Sequence, residues 1–115
     1  MAFPRIIGNC VFRNEGNGCL TSKYINNRSE PLTESCKLME STAPGDRFIG
    51  RYATCWIDSV SGETVNARAG TLTIENGDRQ GSFVLAWRPN EGEAYQGLGM
   101  LFEDLLVATY WSMPR

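Results

Sequence analysis

The chain contains no histidine. That removes the usual general base, the usual partner of a Ser or Cys nucleophile, and the commonest transition-metal ligand. Any catalysis would fall to carboxylates, tyrosine, lysine or a lone thiolate. No apolar run approaches the ~20 residues a membrane helix needs, so no membrane partner is expected. Clustered Lys and Arg are also missing. The first 58 residues carry seven basic and six acidic side chains, the remainder four and seven, and the net charge is −2. That distribution argues against a phosphate backbone as partner, and no nucleic acid is expected.

Close cysteine pairs are absent as well. Cys10, Cys19, Cys36 and Cys55 are spaced C-x8-C-x16-C-x18-C, without the C-x2-C unit that starts most zinc sites, so no metal is expected. The N-terminal MAFPRIIGNCVF has no basic n-region and no small-residue cleavage site, and Arg5 interrupts its apolar residues. A cytoplasmic location follows as the expectation, with buried free thiols as the default in a reducing compartment and two disulfides as the alternative on export. Asn27-Arg28-Ser29 matches a glycosylation acceptor, but without a secretion signal the match has no weight. Gly97-Leu98-Gly99 lacks the third glycine of a dinucleotide loop and sits inside a strand pattern, so no cofactor is expected.

What the chain does have is period-2 patterning. At 115 residues, with 42% apolar and 21% charged residues, it has the size and composition of one globular domain. From Gly81 to Trp111 it reads as three strands joined by two turns. Phe83, Leu85 and Trp87 alternate with Ser82, Val84 and Ala86. Tyr95, Gly97, Gly99 and Leu101 alternate with Gln96, Leu98 and Met100. Leu105, Val107, Thr109 and Trp111 alternate with Leu106, Ala108 and Tyr110. Upstream, the same alternation marks Arg5 to Arg13, Cys19 to Ile25, Phe48 to Asp58 and Val65 to Glu75. Turn residues separate them: Asn14 to Gly18, Ser59 to Gly62, and Asn76-Gly77-Asp78.

One segment reads differently. Pro31 suits a first helical turn, and Leu32, Cys36 and Met39 recur at i, i+4, i+7, which predicts a short helix over 31–41 with Cys36 packed against the sheet. The expected organisation is therefore a single domain over 1–115: an N-terminal β-hairpin (1–30), a short helix (31–41) and a five-stranded antiparallel meander (47–111). The fold class is mainly β. Several strands are apolar on both faces, and glycines 50, 70, 97 and 99 lie inside strands. Both features fit an up-and-down meander closed or strongly curved into a seven- to eight-stranded barrel.

The segment from Phe48 to Trp111 resembles part of the calycin group of up-and-down barrels, which includes lipocalins and avidins. The likeness rests on Gly50-Arg51-Tyr52 opening a strand where those families often place Gly-x-Trp, on Gly70-Thr71-Leu72-Thr73-Ile74, and on Trp87 facing Tyr95-Gln96-Gly97-Leu98-Gly99. It covers a little over half the chain. The opening aromatic is Tyr52, not Trp, and the biotin-contacting residues of avidins have no counterpart. The resemblance implies a small-molecule binding fold and assigns no site residue.

Strand parity supplies the candidate sites. Tyr52, Trp56, Phe83, Trp87 and Tyr95 fall on faces that could line a barrel interior and hold a small apolar or aromatic molecule. The alternative is that these rings fill the barrel. Arg51, Arg68, Asp58 and Glu75 read as solvated outer residues rather than an internal charge pair. A second apolar face, Leu98, Met100, Leu106, Ala108 and Tyr110, suits contact with an identical subunit, with Leu98, Met100, Leu106 and Tyr110 as the interface set and a homodimer as the partner. Three functions follow in order: a non-enzymatic binding module, a homo-oligomeric assembly protein with a filled barrel, and a barrel enzyme of isomerase, cyclase or hydratase type. The enzyme requires an inward carboxylate or tyrosine as acid or base.

Overall fold

The computed structural model describes residues 3–60 and 64–113, and gives side chains in the β4–β5 ribbon up to Trp56 and from Arg68 onward. The expected tip of the Ser59–Gly62 turn and the Asp58 side chain lie outside the described residues. The strands are β1 (Ile7–Gly16), β2 (Cys19–Asn26), β3 (Ser29–Glu40), β4 (Gly50–Val60), β5 (Thr64–Asn76), β6 (Ser82–Pro89), β7 (Tyr95–Phe102) and β8 (Leu105–Ser112). Each pairs antiparallel with its sequence neighbour. β8 returns to β1 through pairs from Ile7↔Trp111 to Arg13↔Leu105, closing an eight-stranded up-and-down barrel. Closure leaves no sheet edge unpaired. None of the described residues forms a helix long and apolar enough to cross a membrane.

The predicted helix over 31–41 is strand β3. It pairs with β2 from Cys19↔Lys37 to Asn26↔Ser29 and with β4 from Glu34↔Trp56 to Glu40↔Arg51. The segment carries two periodicities. Leu32, Cys36 and Met39 fit a helix, but Leu32, Glu34, Cys36 and Leu38 also alternate, and in the barrel these four point inward. A helix here would have left one edge of β2 and one edge of β4 unpaired, so sheet closure overrides a weak local preference. Pro31 sits beside the register shift between Tyr24 and Asn26, where a missing N–H disturbs the ladder least. Met39, expected on the packed face of the helix, is exposed.

One end of the barrel is sealed. The β3–β4 loop folds Phe48 under the strands, leaving it 2% exposed. Asp46 holds this loop by accepting hydrogen bonds from the Phe48 and Ile49 N–H groups, both at 2.8 Å. Above Phe48 the interior is packed solid by Phe12, Leu20, Leu72, Ile74, Leu85 and Leu106, each at most 2% exposed. The other end, where the chain enters β1 and β6 passes to β7, is not filled in this way.

Candidate functional site: a carboxyl in an aromatic end cavity

Glu34 stands on β3 with its side chain inside the barrel and is only 4% exposed. Its Oε2 accepts the hydroxyl of Thr54 from the adjacent strand β4. From the far wall, the indole Nε1–H of Trp87 on β6 donates to the same oxygen at 3.0 Å. The Cys36 thiol donates to Thr54 Oγ1 at 3.5 Å, extending the chain of neutral donors. Burial strips water from the carboxylate and pushes its pKa up to about 7, while the hydrogen bonds from Thr54, Trp87 and Cys36 hold it below where burial alone would put it. Burial and these neutral donors set its pKa, with no cation among them.

Around Glu34 the barrel widens into a cavity of about 70 Å³ lined by Ile6, Cys10, Tyr24, Asn26, Glu34, Trp56, Trp87, Tyr95 and Tyr110. Tyr110 is its centre. It meets Trp87 at 5.7 Å between ring centroids, Tyr95 at 6.1 Å and Tyr24 at 6.5 Å, the two tyrosines edge-on. Such edge-to-face contacts place ring edges against ring faces, the favoured arrangement for aromatic quadrupoles. Its hydroxyl accepts from Asn26 Nδ2 at 3.1 Å. Burial pushes the Tyr110 phenol up to about 12, and burial also raises the Cys10 thiol, with the Glu34 charge adding to it. Ile6, Asn26, Trp56 and Tyr95 are only partly buried and form the mouth.

Glycines make these rings possible. Gly8 lies across from Tyr110 in the ladder, and a Cβ there would sit 2.6 Å from Tyr110 Cζ and 2.3 Å from the Ile25 carbonyl oxygen. A Cβ at Gly97 would meet Trp87 Cζ3 at 3.1 Å. The room that Gly97 leaves is thus taken by the Trp87 ring rather than by open space.

The structure puts all five expected lining residues on inward positions and divides them. Trp56, Trp87 and Tyr95 line the end cavity. Tyr52 and Phe83 lie in the packed half, 3% and 6% exposed, where the Tyr52 hydroxyl donates to the Phe48 carbonyl at 2.8 Å. The expected interface set is divided as well. Leu98 and Met100 point outward and are 51% and 60% exposed, whereas Leu106 and Tyr110 point inward. The pairs Leu98↔Thr109 and Met100↔Val107 show why: the outer face of β7 continues into the other parity of β8. Leu98 and Met100 border an outer concavity of about 790 Å³ that Val11, Ile25, Pro31 and Val107 also line.

Arg51 and Glu75 are exposed, with Arg51 pairing to Glu40 at 3.3 Å. Arg68, expected outside, takes an inward position across from Trp56. Glu34, Tyr24, Asn26, Cys10 and Ile6 are the lining residues that sequence reasoning missed. The usable signal was the Leu32-Glu34-Cys36-Leu38 alternation, masked by a charged residue at an inward position. All four cysteines are free, Cys10 and Cys36 buried inside and Cys55 exposed outside. Among the described residues no three His, Cys, Asp or Glu side chains gather as a metal site.

A buried carboxyl that titrates near neutrality can hold a proton for transfer, donate a hydrogen bond while neutral, or balance a cation while charged. Comparison of the chain with protein-family models, with curated proteins and with solved structures finds no match.

Proposed function

We propose that this barrel is a small-molecule binding module, with a calycin-like plan, whose site is the end cavity around Glu34. The observation that supports the reading most is the placement of Glu34. A carboxyl 4% exposed and held by Thr54 and Trp87 is expensive to bury, yet it faces a cavity of about 70 Å³ instead of packed side chains. One end of the interior is solid and the other is aromatic, polar-tipped and open at its mouth. That division suits a ligand with a compact polar group at the floor and an apolar or aromatic body toward Trp56 and Tyr95. Native mass spectrometry of the purified protein, with and without mild activation, is the first test. A released small molecule supports the reading. A bare protein whose tryptophan fluorescence is unmoved across a panel of small polar-headed aromatics removes it.

The same carboxyl is what an isomerase-, cyclase- or hydratase-type barrel enzyme would use as acid or base. Turnover of any bound compound, lost in Glu34→Gln, would move the reading from binding to catalysis.

Self-association is a second reading, favoured by the outer groove. Leu98, Met100 and Ile25 are 51%, 60% and 45% exposed around an apolar concavity, the kind of surface a second copy covers. Sedimentation of the wild type and of Met100→Glu tests it: a dimer that becomes a monomer supports assembly, and a monomer in both removes it.

A further inference from the structure

The binding reading leaves the ligand's chemistry open, and the charge pattern of the cavity narrows it. We propose that the end cavity takes a small organic cation, an alkylammonium head group, with Glu34 as its counter-charge and the rings of Trp56, Trp87 and Tyr110 as its aromatic wall. This inference rests on the proposed binding function and specifies its ligand.

Three observations carry it. First, Glu34 is the only charged or acidic carboxyl in the lining, and the lining contains neither lysine nor arginine. Arg68 lies across the β4–β5 ladder from Trp56 and is not among the lining residues. An anionic head group would meet Glu34 without a compensating cation, so the site selects against it. Second, every donor to Glu34 on Thr54, Trp87 and Cys36 is neutral. The charge of the ionised form is solvated by these dipoles, and no cation is among the groups that shift its pKa. A buried charge without a partner is the costly case, and a ligand cation supplies the partner. Third, the rest of the wall is aromatic, and the negative face of such rings attracts a cation best where water is excluded. Trp87 and Tyr110 stand 5.7 Å apart, centroid to centroid, with their planes tilted by 54°, so they form two sides of a corner rather than a closed stack.

Size fits a compact head. A cavity of about 70 Å³ accommodates roughly two waters at ~30 Å³ each, or an ammonium with its first carbons, with the remainder of the molecule in the mouth. A further polar group awaits a partner nearby. Ser22 lies directly across the β2–β3 ladder from Glu34, and its buried hydroxyl has no hydrogen-bond partner among the described residues.

The test compares a cation with its neutral isostere. Choline and 3,3-dimethylbutan-1-ol have nearly the same shape and differ in the charged nitrogen. Titration calorimetry and tryptophan fluorescence on the wild type should show at least about tenfold tighter binding of choline. Glu34→Gln should remove that preference. Trp56→Leu, at the half-buried mouth, keeps apolar area but loses the ring face and should reduce it by several-fold. It also serves if Glu34→Gln fails to fold. A trimethyl-lysine peptide and its leucine counterpart, run alongside, separate a free cation from one carried on a chain; preference for either cation over its neutral partner supports the inference. If the neutral isostere binds as well as choline, the cation assignment is overturned and the binding function stands. If neither binds while neutral aromatics do, the result is the same. If nothing binds at all, both fall.

Discussion

The indole N–H of Trp87 reaches across the barrel from β6 to donate to Glu34 on β3, at 3.0 Å. These residues are 53 positions apart and share no strand pairing, so their contact exists only because the sheet closes on itself. It ties the one buried carboxyl among the described side chains to the centre of the aromatic wall.

The first prediction concerns pH. Burial raises the folded-state pKa of Glu34 to about 7, against an ordinary value of 4.5. Below the ordinary value the carboxyl is protonated in both the folded and unfolded states, and its burial carries no ionisation penalty. As pH rises through 7 the folded state must give up its proton, and this group's share of stability is lost. The loss across the window is at most about 3 kcal/mol, from roughly 1.4 kcal/mol per pKa unit. Urea unfolding at about pH 5 and about pH 8 should show wild type losing more stability than Glu34→Gln. Equal losses in both would remove Glu34 as the source.

The divided interface set gives a second prediction. Leu106 is 0% exposed and Leu98 is 51% exposed. Leu106→Ala should cost about 2–5 kcal/mol of unfolding free energy, through lost burial and the cavity left behind. Leu98→Ala should stay within about 0.5 kcal/mol in dilute monomer. Chemical denaturation of both variants checks this, and comparable costs would contradict the inward and outward assignment.

Glycine positions give a third. A Cβ at Gly8 would fall 2.3 Å from a backbone oxygen and 2.6 Å from the Tyr110 ring. The backbone cannot retreat as a flexible side chain would, so Gly8→Ala should destabilise by about 1–3 kcal/mol and displace Tyr110 from the cavity. Thermal melting together with near-ultraviolet circular dichroism reads both effects. A neutral substitution with an unchanged aromatic spectrum would count against this packing.

Thiol accessibility gives a fourth. Cys10 and Cys36 are buried and free, and burial raises both thiols well above the ordinary range, with Glu34 adding to each. Cys55 is exposed on the outer face. Thiolate is the reactive form, so alkylation of the native protein should mark Cys55 quickly and leave Cys10 and Cys36 unmodified until it unfolds. Peptide mapping after a short iodoacetamide pulse distinguishes the sites, and early labelling of Cys10 would show that the interior is not as closed as its burial indicates.

The amino-acid sequence by itself determined where most strands run and which residues share a face. Phe83, Leu85 and Trp87, or Gly97 and Gly99, alternate because successive side chains in an extended chain point to opposite sides, and that signal needs no knowledge of partners. It also determined the turns at Asn14–Gly18 and Asn76–Asp78, where φ at Asn17 is 55° and at Gly16 and Gly18 is 88° and 75°. Which face lies inside was decided only by tertiary structure. The inward side of β8 follows from its register with β7 and β1, and register is a long-range property: the pairing Gly97↔Tyr110 turns Tyr110 and Leu106 to the interior. β3 was likewise decided at that level, because two unpaired neighbouring edges outweigh the weak helical spacing of Leu32, Cys36 and Met39. Glu34 follows from β3. A carboxylate in a strand is read as solvated, since burying one is costly; pairing with β4 brought Thr54 within reach, and only closure of the barrel brought Trp87, to offset that cost.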